Sequence, residues 1–317
     1  MKNLVFLVSL MACFWNAAPG YSFWIWTPKT GKFVNPKTEA KPTPKEQFEY
    51  AKSFFDEKKY DDAARELKKV LKTYPKSLEA SEAQYYLGLT EEAQGKPYEA
   101  YQAFQKVIEK YPFSERIAEI NERIYKIGES FMSGVKRKSM GVVLPVENPA
   151  IEIFQKVVDN STYGPLAPKA QYKLGLVLKG TSRYYEAEDA FNKVLSNYPE
   201  SEWVEAARFQ IASCKASVSR SPDYDQGGVK DAKDKFEEFV REHPDAVLSR
   251  DAEKSIQQLN EREAESNYSI ARFYEKQKTF ESARIYYKNI ITNYPDSPWA
   301  AKATERLNIL DTGEKQK

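Results

Sequence analysis

Apolar residues recur along most of this chain at helical spacing, with polar residues between them. Ala100, Phe104, Val107 and Ile108 stand at i, i+4, i+7 and i+8, which is one face of an α-helix. Patterns of this kind end again and again at a Tyr-Pro pair. The pairs are Tyr74-Pro75, Tyr111-Pro112, Tyr198-Pro199 and Tyr294-Pro295, with His243-Pro244 and the looser Tyr163-Gly164-Pro165 completing the series. Proline cannot continue a helix, so each pair reads as a stop signal. Helix and stop in regular alternation predict an all-α chain.

A grid of about 34 residues fits the spacing. With Pro112 at position 32, Leu87, Gly88, Ala100 and Phe104 fall on positions 7, 8, 20 and 24. With Pro199 at position 32, Leu174, Gly175, Ala187 and Phe191 take the same places. Pro75 brings Ala51 and Ala63 to positions 8 and 20, and Pro295 brings Ala271 and Ala283 there. Positions 8 and 20 are where two antiparallel helices come closest, so only Gly or Ala fits, and position 24 supplies the large residue that fills the layer. The pattern resembles the tetratricopeptide repeat, and it predicts a right-handed α-solenoid of about six helical hairpins plus a capping helix.

The units run 47–112 for the first two, 113–165 for the third, 166–199 for the fourth and 200–244 for the fifth. The third and fifth carry loop inserts, Gly134 to Glu147 and Ser219 to Gly228, rich in loop residues. Residues 245–310 hold the last unit. Ala246 to Lys276 lacks Gly and Pro and reads as one long helix with about four added turns. Pro298 to Leu310 caps the stack, and 311–317 is a tail.

The N-terminus breaks the repeat. Met1-Lys2-Asn3 is a short basic start, Leu4 to Trp15 is mostly apolar, and Asn16 to Ser22 is small and polar, which is the layout of a secretory signal over 1–22. Two processing routes stay open. Leu10-Met11-Ala12-Cys13 resembles a lipobox with Cys13 as the lipidated residue, whereas Ala18-Pro19-Gly20 or Gly20-Tyr21-Ser22 suits ordinary cleavage. Either places the mature chain outside the cytoplasm. Residues 23–46 form a Pro- and Lys-rich tether, expected to be extended. It opens on the apolar knot Phe23-Trp24-Ile25-Trp26, which either folds back onto the helices or sits at a membrane interface.

Composition narrows the chemistry. Lys+Arg number 48 and Asp+Glu 46 in 317 residues, a balance that gives no basic footprint for nucleic acid. The mean hydropathy of -0.67 and the lack of a long apolar run exclude an integral helical membrane protein. Two cysteines, Cys13 and Cys214, and one histidine, His243, cannot assemble a zinc cluster or a disulfide framework. Gly227-Gly228 lacks phosphate-loop spacing, and Asp61-Asp62 and Glu237-Glu238 read as solvated helix faces. The chain therefore reads as a non-enzyme with no cofactor and no metal.

What is left is a binding surface. Position 5 is aromatic in every unit: Phe48, Tyr85, Tyr125, Tyr172, Phe209 and Tyr268. These rings either brace the neighbouring helix or form a ladder for an extended peptide. Position 9 is Lys52, Leu89, Glu129, Leu176, Ser213 and Arg272, which lacks the Lys/Asn set by which co-chaperone repeats grip a C-terminal carboxylate. The first insert carries Lys136-Arg137-Lys138 and then an apolar run through Leu144, a candidate partner loop, since long loops are uncommon inside compact helical repeats.

The order from Ser201 to Leu310 resembles the BamD/YfiO-like outer-membrane assembly lipoproteins. The matching residues are Ser221-Pro222-Asp223-Tyr224-Asp225 leading into Asp231-Ala232-Lys233-Asp234-Lys235-Phe236, then Asn267-Tyr268-Ser269-Ile270-Ala271-Arg272-Phe273-Tyr274, then Tyr294-Pro295-Asp296-Ser297. The resemblance implies a periplasmic scaffold at the outer membrane. It implies binding to the barrel-assembly core subunit and to unfolded outer-membrane proteins. A general envelope scaffold linked to Tol/Pal, division or polysaccharide export is the alternative.

Overall fold

The computed structural model describes residues 24–27, 31–34, 39–139, 142–143, 147–218 and 226–314. Among them thirteen helices account for nearly all regular structure. The chain divides into two compact units, Met1–Val107 and Ile108–Lys317.

The first unit contains α1 (Pro44–Asp56), α2 (Tyr60–Thr73), α3 (Leu78–Ala93) and most of α4 (Pro97–Lys110). Helix α1 starts where the sequence supplies both entry devices. Thr43 Oγ1 accepts the Glu46 backbone N–H at 3.2 Å, and Pro44 takes the first turn, where its missing N–H costs nothing. The core between these helices is built from Phe48, Ala51, Leu67, Val70, Ala83 and Leu87. Each of the turns from α1 to α2 and from α3 to α4 places one residue in the left-handed region, Lys58 (φ 59°) and Gly95 (φ 70°). Only Gly95 meets that geometry without a Cβ penalty.

The second unit contains α5 (Ile117–Met132), α6 (Ala150–Asn160), α7 (Ala167–Gly180), α8 (Tyr184–Asn197), α9 (Val204–Val218), α10 (Gln226–Glu242), α11 (Val247–Lys276), α12 (Phe280–Asn293) and α13 (Pro298–Glu314). Consecutive helices pair as hairpins: α5 with α6, α7 with α8, α9 with α10, and α11 with α12, while α13 packs on α12. Helix α11 has 30 residues, about 45 Å of axis, and it belongs to two cores. Its Ala252 and Leu259 join Ala212, Ala232, Phe236 and Phe239 of the α9/α10 hairpin. Its Ala264 and Ala271 join Ala283, Tyr287, Ile290 and Ala303 of the last hairpin and cap.

Four local features differ from the sequence expectation. The tether holds a β-hairpin, β1 (Ile25–Thr27) against β2 (Lys32–Val34), with Trp26 opposite Phe33 and Gly31 at φ 62° in the turn. β-branched and aromatic residues flanking a glycine turn favour this pairing over an open spacer. A second hairpin, β3 (Lys138–Ser139) with β4 (Val142–Val143), stands inside the first insert. Helix α10 begins at Gln226, so Gly227 and Gly228 are helical, and α13 runs on to Glu314. The fold is otherwise an all-α tetratricopeptide solenoid.

Candidate protein-binding face

The hairpins are set by a repeated contact between small and large residues. Gly175 lies under the Phe191 ring, where a Cβ would sit 2.5 Å from Cε1, and Gly128 lies under Phe154, where it would sit 2.9 Å away. Gly88 and Phe104 make the same contact, closer still. Ala100, Ala187, Phe104 and Phe191 are fully buried. Any added carbon at these glycines must displace a ring that is itself enclosed.

The position-5 rings pack onto the position-24 side chains. Ring centroids are 5.9 Å apart for Tyr85–Phe104, 5.6 Å for Tyr125–Phe154, 5.5 Å for Tyr172–Phe191, 5.6 Å for Phe209–Phe236 and 5.6 Å for Tyr268–Tyr287. Phe48 shares a core with Leu67. Trp203 covers Tyr172 at 5.0 Å, and Trp299 covers Tyr268 at 5.1 Å. Phe48, Tyr85, Tyr125 and Tyr172 are only 4 to 8% exposed. Burial pushes the Tyr125 and Tyr172 phenols above their usual range, with Glu129 adding to the rise at Tyr125. The bracing contacts occupy these ring faces, which leaves little aromatic surface to receive a peptide.

Polar groups link the first helices of successive hairpins instead. Tyr125 Oη donates to Glu129 Oε1 at 2.9 Å, and Lys173 Nζ lies 3.7 Å from the same oxygen, joining α5 to α7. Lys179 Nζ donates to Gln210 Oε1 at 2.7 Å and Ser213 Oγ at 2.6 Å, joining α7 to α9. Lys52 pairs with Asp56 within α1, and Arg272 with Glu275 within α11. Position 9 therefore takes part in charged and hydroxyl contacts in four of the six hairpins.

A position absent from the sequence reading proves structural. Gln84 Nε2 donates to the Ala103 carbonyl at 3.0 Å, and Gln171 Nε2 to the Ala190 carbonyl at 3.0 Å. Gln47 Nε2 donates to the Glu66 carbonyl at 3.3 Å and to Glu66 Oε2 at 3.0 Å. Each is position 4 reaching across its hairpin to position 23. In the third hairpin Asn121 Nδ2 donates to the Val157 carbonyl at 3.3 Å, about one turn along. The signal was an amide just before the aromatic: Gln47-Phe48, Gln84-Tyr85 and Gln171-Tyr172.

The remaining candidates are scattered. Lys136 is exposed and Arg137 half-buried, Lys138 opens β3, and Leu144 lies outside the described residues, as do Cys13 and Phe23. Trp24, Ile25, Trp26 and Phe33 are 58, 42, 51 and 63% exposed, so the helices leave the first β-hairpin uncovered. Cys214 is buried, and burial pushes its thiol up to about 11. His243 packs on Phe239 with its Nδ1 3.2 Å from Glu205. Among the described residues no cluster of His, Cys, Asp or Glu could hold a metal ion, and no helix is long and apolar enough to cross a membrane.

Comparison with known proteins places this arrangement. The outer membrane protein assembly factor BamD of Rickettsia prowazekii (strain Madrid E) is 25% identical over 158 residues, 50% of this chain and 63% of that protein. The chain thus spans less than two thirds of the length of this relative. Among solved structures, a C-terminal part of a tetratricopeptide protein from Cytophaga hutchinsonii is 20% identical, covering 82% of this chain and 87% of that one, with a TM-score of 0.36. A tetratricopeptide repeat protein from Parabacteroides merdae is 17% identical, covering 84% and 98%, with a TM-score of 0.33. Residues 49–115 match the tetratricopeptide repeat family. Residues 148–312, which make up more than half of the chain, match the YfiO outer membrane lipoprotein family, and the chain belongs to that family.

Proposed function

We propose that this protein is an exported scaffold on the periplasmic side of the outer membrane, assisting the assembly of β-barrel proteins by binding other proteins. The observation that carries this reading is the family match over 148–312, which takes in the hairpins from α6 to the cap. The BamD relative supports the same assignment. The partners under this reading are the barrel-assembly core subunit and unfolded outer-membrane proteins. The work under this reading is binding, for which stacked helices with paired charges offer surface.

The side-chain geometry favours polar groups over aromatic rings as the grip on a client. Lys173, Glu129, Lys179 and Ser213 lie along the first helices, whereas four of the six position-5 rings, Phe48, Tyr85, Tyr125 and Tyr172, are enclosed. Such contacts weaken with salt. Contact with the inner leaflet is assigned to a lipid on Cys13 or to the exposed Trp24 and Trp26. A partner role for the insert at Lys136, Arg137, Lys138 and Leu144 belongs to the same proposal.

The test is recovery of the tagged protein from cross-linked envelopes, with identification of what is joined to it. Barrel-assembly subunits and barrel proteins are the expected partners. Tol/Pal, division or polysaccharide-export partners would replace this reading with that of a general envelope scaffold, a reading favoured by the plain repeat match of 49–115.

A further inference from the structure

The first β-hairpin carries apolar side chains that the helices leave uncovered. Trp26 stands opposite Phe33 in the register, and their rings meet edge to face at 5.3 Å. Residues directly opposite share a face, and Trp24 precedes Trp26 by two, so three aromatics fall on one side. Ile25, paired with Val34, falls on the other. Trp24, Ile25, Trp26 and Phe33 are all exposed. A two-stranded hairpin is marginal by itself in water, and one with bare rings needs a covering layer.

Three observations identify that layer. The first is charge. Residues 23–45 hold five lysines and one glutamate, with no arginine or aspartate, in a chain that is otherwise balanced. A second copy would bring these lysines against each other, whereas anionic lipid attracts them. The second is residue type. Tryptophan, a flat apolar ring with one N–H, suits the headgroup region of a bilayer. The third is place. The signal expected over 1–22 ends just before Trp24, and Cys13 stands eleven residues before it, at most about 40 Å of extended chain.

The other end of the segment is fastened to the helices. The Lys41 N–H donates to Gln47 Oε1 at 2.8 Å, and the Lys41 carbonyl accepts the Tyr74 hydroxyl. Seven residues separate Val34 from Lys41, a reach of at most about 25 Å. Whatever the hairpin docks on is therefore held close to α1 and α2.

We propose that this hairpin docks on a phospholipid bilayer, with the Trp24, Trp26 and Phe33 face among the headgroups and the lysines of 23–45 on anionic lipid. The proposal rests on the reading of an exported envelope scaffold and deepens it: the hairpin makes the membrane contact without an acyl chain on Cys13.

The probe is a pair of vesicle preparations, phosphatidylcholine alone and phosphatidylcholine with phosphatidylglycerol, each also made with brominated acyl chains. They are mixed with the processed chain carrying no acyl group, and binding is read by co-sedimentation and by bromine quenching of tryptophan. Trp203 and Trp299 lie over Tyr172 and Tyr268, so quenching reports on the hairpin. Saturable binding with quenching is expected, several-fold tighter on the anionic vesicles, a preference that high salt removes. The triple variant Trp24→Ser, Trp26→Ser, Phe33→Ser should bind at least about tenfold more weakly. Lys29→Gln, Lys32→Gln and Lys37→Gln together should cut the anionic preference by about fivefold or more and leave phosphatidylcholine binding unchanged. None of these residues belongs to the core of the first helices, so both variants should keep the wild-type melting temperature. Absence of quenching in the unaltered chain would overturn the proposal, as would equal binding by the aromatic variant. Equal affinity for both vesicle types would overturn the part assigned to the lysines. A dimer that the aromatic variant abolishes, without vesicle binding, would give the face to a second copy instead. The vesicles hold no protein, so docking can succeed while envelopes yield other partners, and fail while barrel-assembly partners appear.

Discussion

The α7/α8 hairpin and the α9–α11 region use the same position-5 and position-24 contact, yet they end as different objects. In α7/α8 the repeat is complete: Gly175 under Phe191, Tyr172 against the same ring, and Gln171 tied to the Ala190 carbonyl. The glycine, ring and amide are all used within the hairpin, while Lys179 reaches out to Gln210 and Ser213 of α9. In α9–α11, Phe209 and Phe236 repeat the ring contact at 5.6 Å, but Arg208 replaces the amide at position 4 and pairs with Glu242 at 3.3 Å. The lengthened α11 then serves two cores and opens a polar cleft beside the next turn. A regular repeat uses up its own side chains, whereas an added stretch creates surface that the repeat does not satisfy.

The sharpest way to break this comparison is to truncate one apolar side chain on each side. Phe191→Ala in α7/α8 should cost roughly 3–5 kcal/mol, because a fully buried ring leaves a cavity that Gly175 cannot fill. Ile256→Ala on the partly exposed face of α11 should cost about 1 kcal/mol. Urea unfolding of both variants checks the ordering. Equal losses would mean that α11 is as tightly enclosed as the regular hairpin.

The next effect is electrostatic and lies at the other end of α11. Burial alone would raise the Glu275 carboxyl, but Arg306, Tyr287 and Arg272 outweigh it and hold the group below the usual carboxylate range. Tyr287 Oη donates to Glu275 Oε2 at 2.8 Å, and Arg306 pairs with the same carboxylate. A depressed folded pKa contributes stability that is fully present above the unfolded value and is lost as pH falls through the folded one. Glu275→Gln should therefore destabilise the chain at neutral pH by about 1.5–3 kcal/mol. The gap between variant and wild type should narrow below about pH 4. Thermal unfolding across pH measures it, and a gap independent of pH would contradict the assignment.

Smaller effects sharpen the regular side. Gln171→Ala should cost about 1 kcal/mol through the lost bond to Ala190. Ser182→Gly should stabilise by about 0.5–1 kcal/mol, since Ser182 sits at φ 62° where a Cβ is strained. Melting curves of the two variants should move in opposite directions. Smallest of all, Cys214 should stay unalkylated by iodoacetamide in the native chain, because burial pushes its thiol up to about 11. Rapid labelling would show that α9 opens.

The sequence displays what is periodic and hides what depends on residues far apart. Tyr-Pro stops and the Gly/Ala-to-Phe spacing recur at fixed intervals, so the tetratricopeptide fold is legible without coordinates. The stretch from Ala246 to Lys276 has no breaker, so it reads as one helix. The amides at Gln84 and Gln171 escape a reading built on apolar positions, because their purpose is a carbonyl 19 residues on. The three-residue strands at Ile25 and Lys32 are too short for any period to register. At position 5 the letters permit both brace and ladder, and the burial of Tyr85 and Tyr125 depends on residues that the spacing alone does not bring together. The cleft beside α11 is the least legible feature, for Asn260 and Ser297, which both line it, stand 37 positions apart.

The central proposal is that this chain helps β-barrel proteins to assemble, and depletion in the source organism tests it most directly. After depletion, the folded fraction of outer-membrane barrel proteins is read by heat-modifiable migration on gels, with a periplasmic soluble protein as control. The account predicts that folded barrels fall and unfolded ones accumulate while the control is unchanged. Normal barrel folding in cells shown to lack the protein would contradict it.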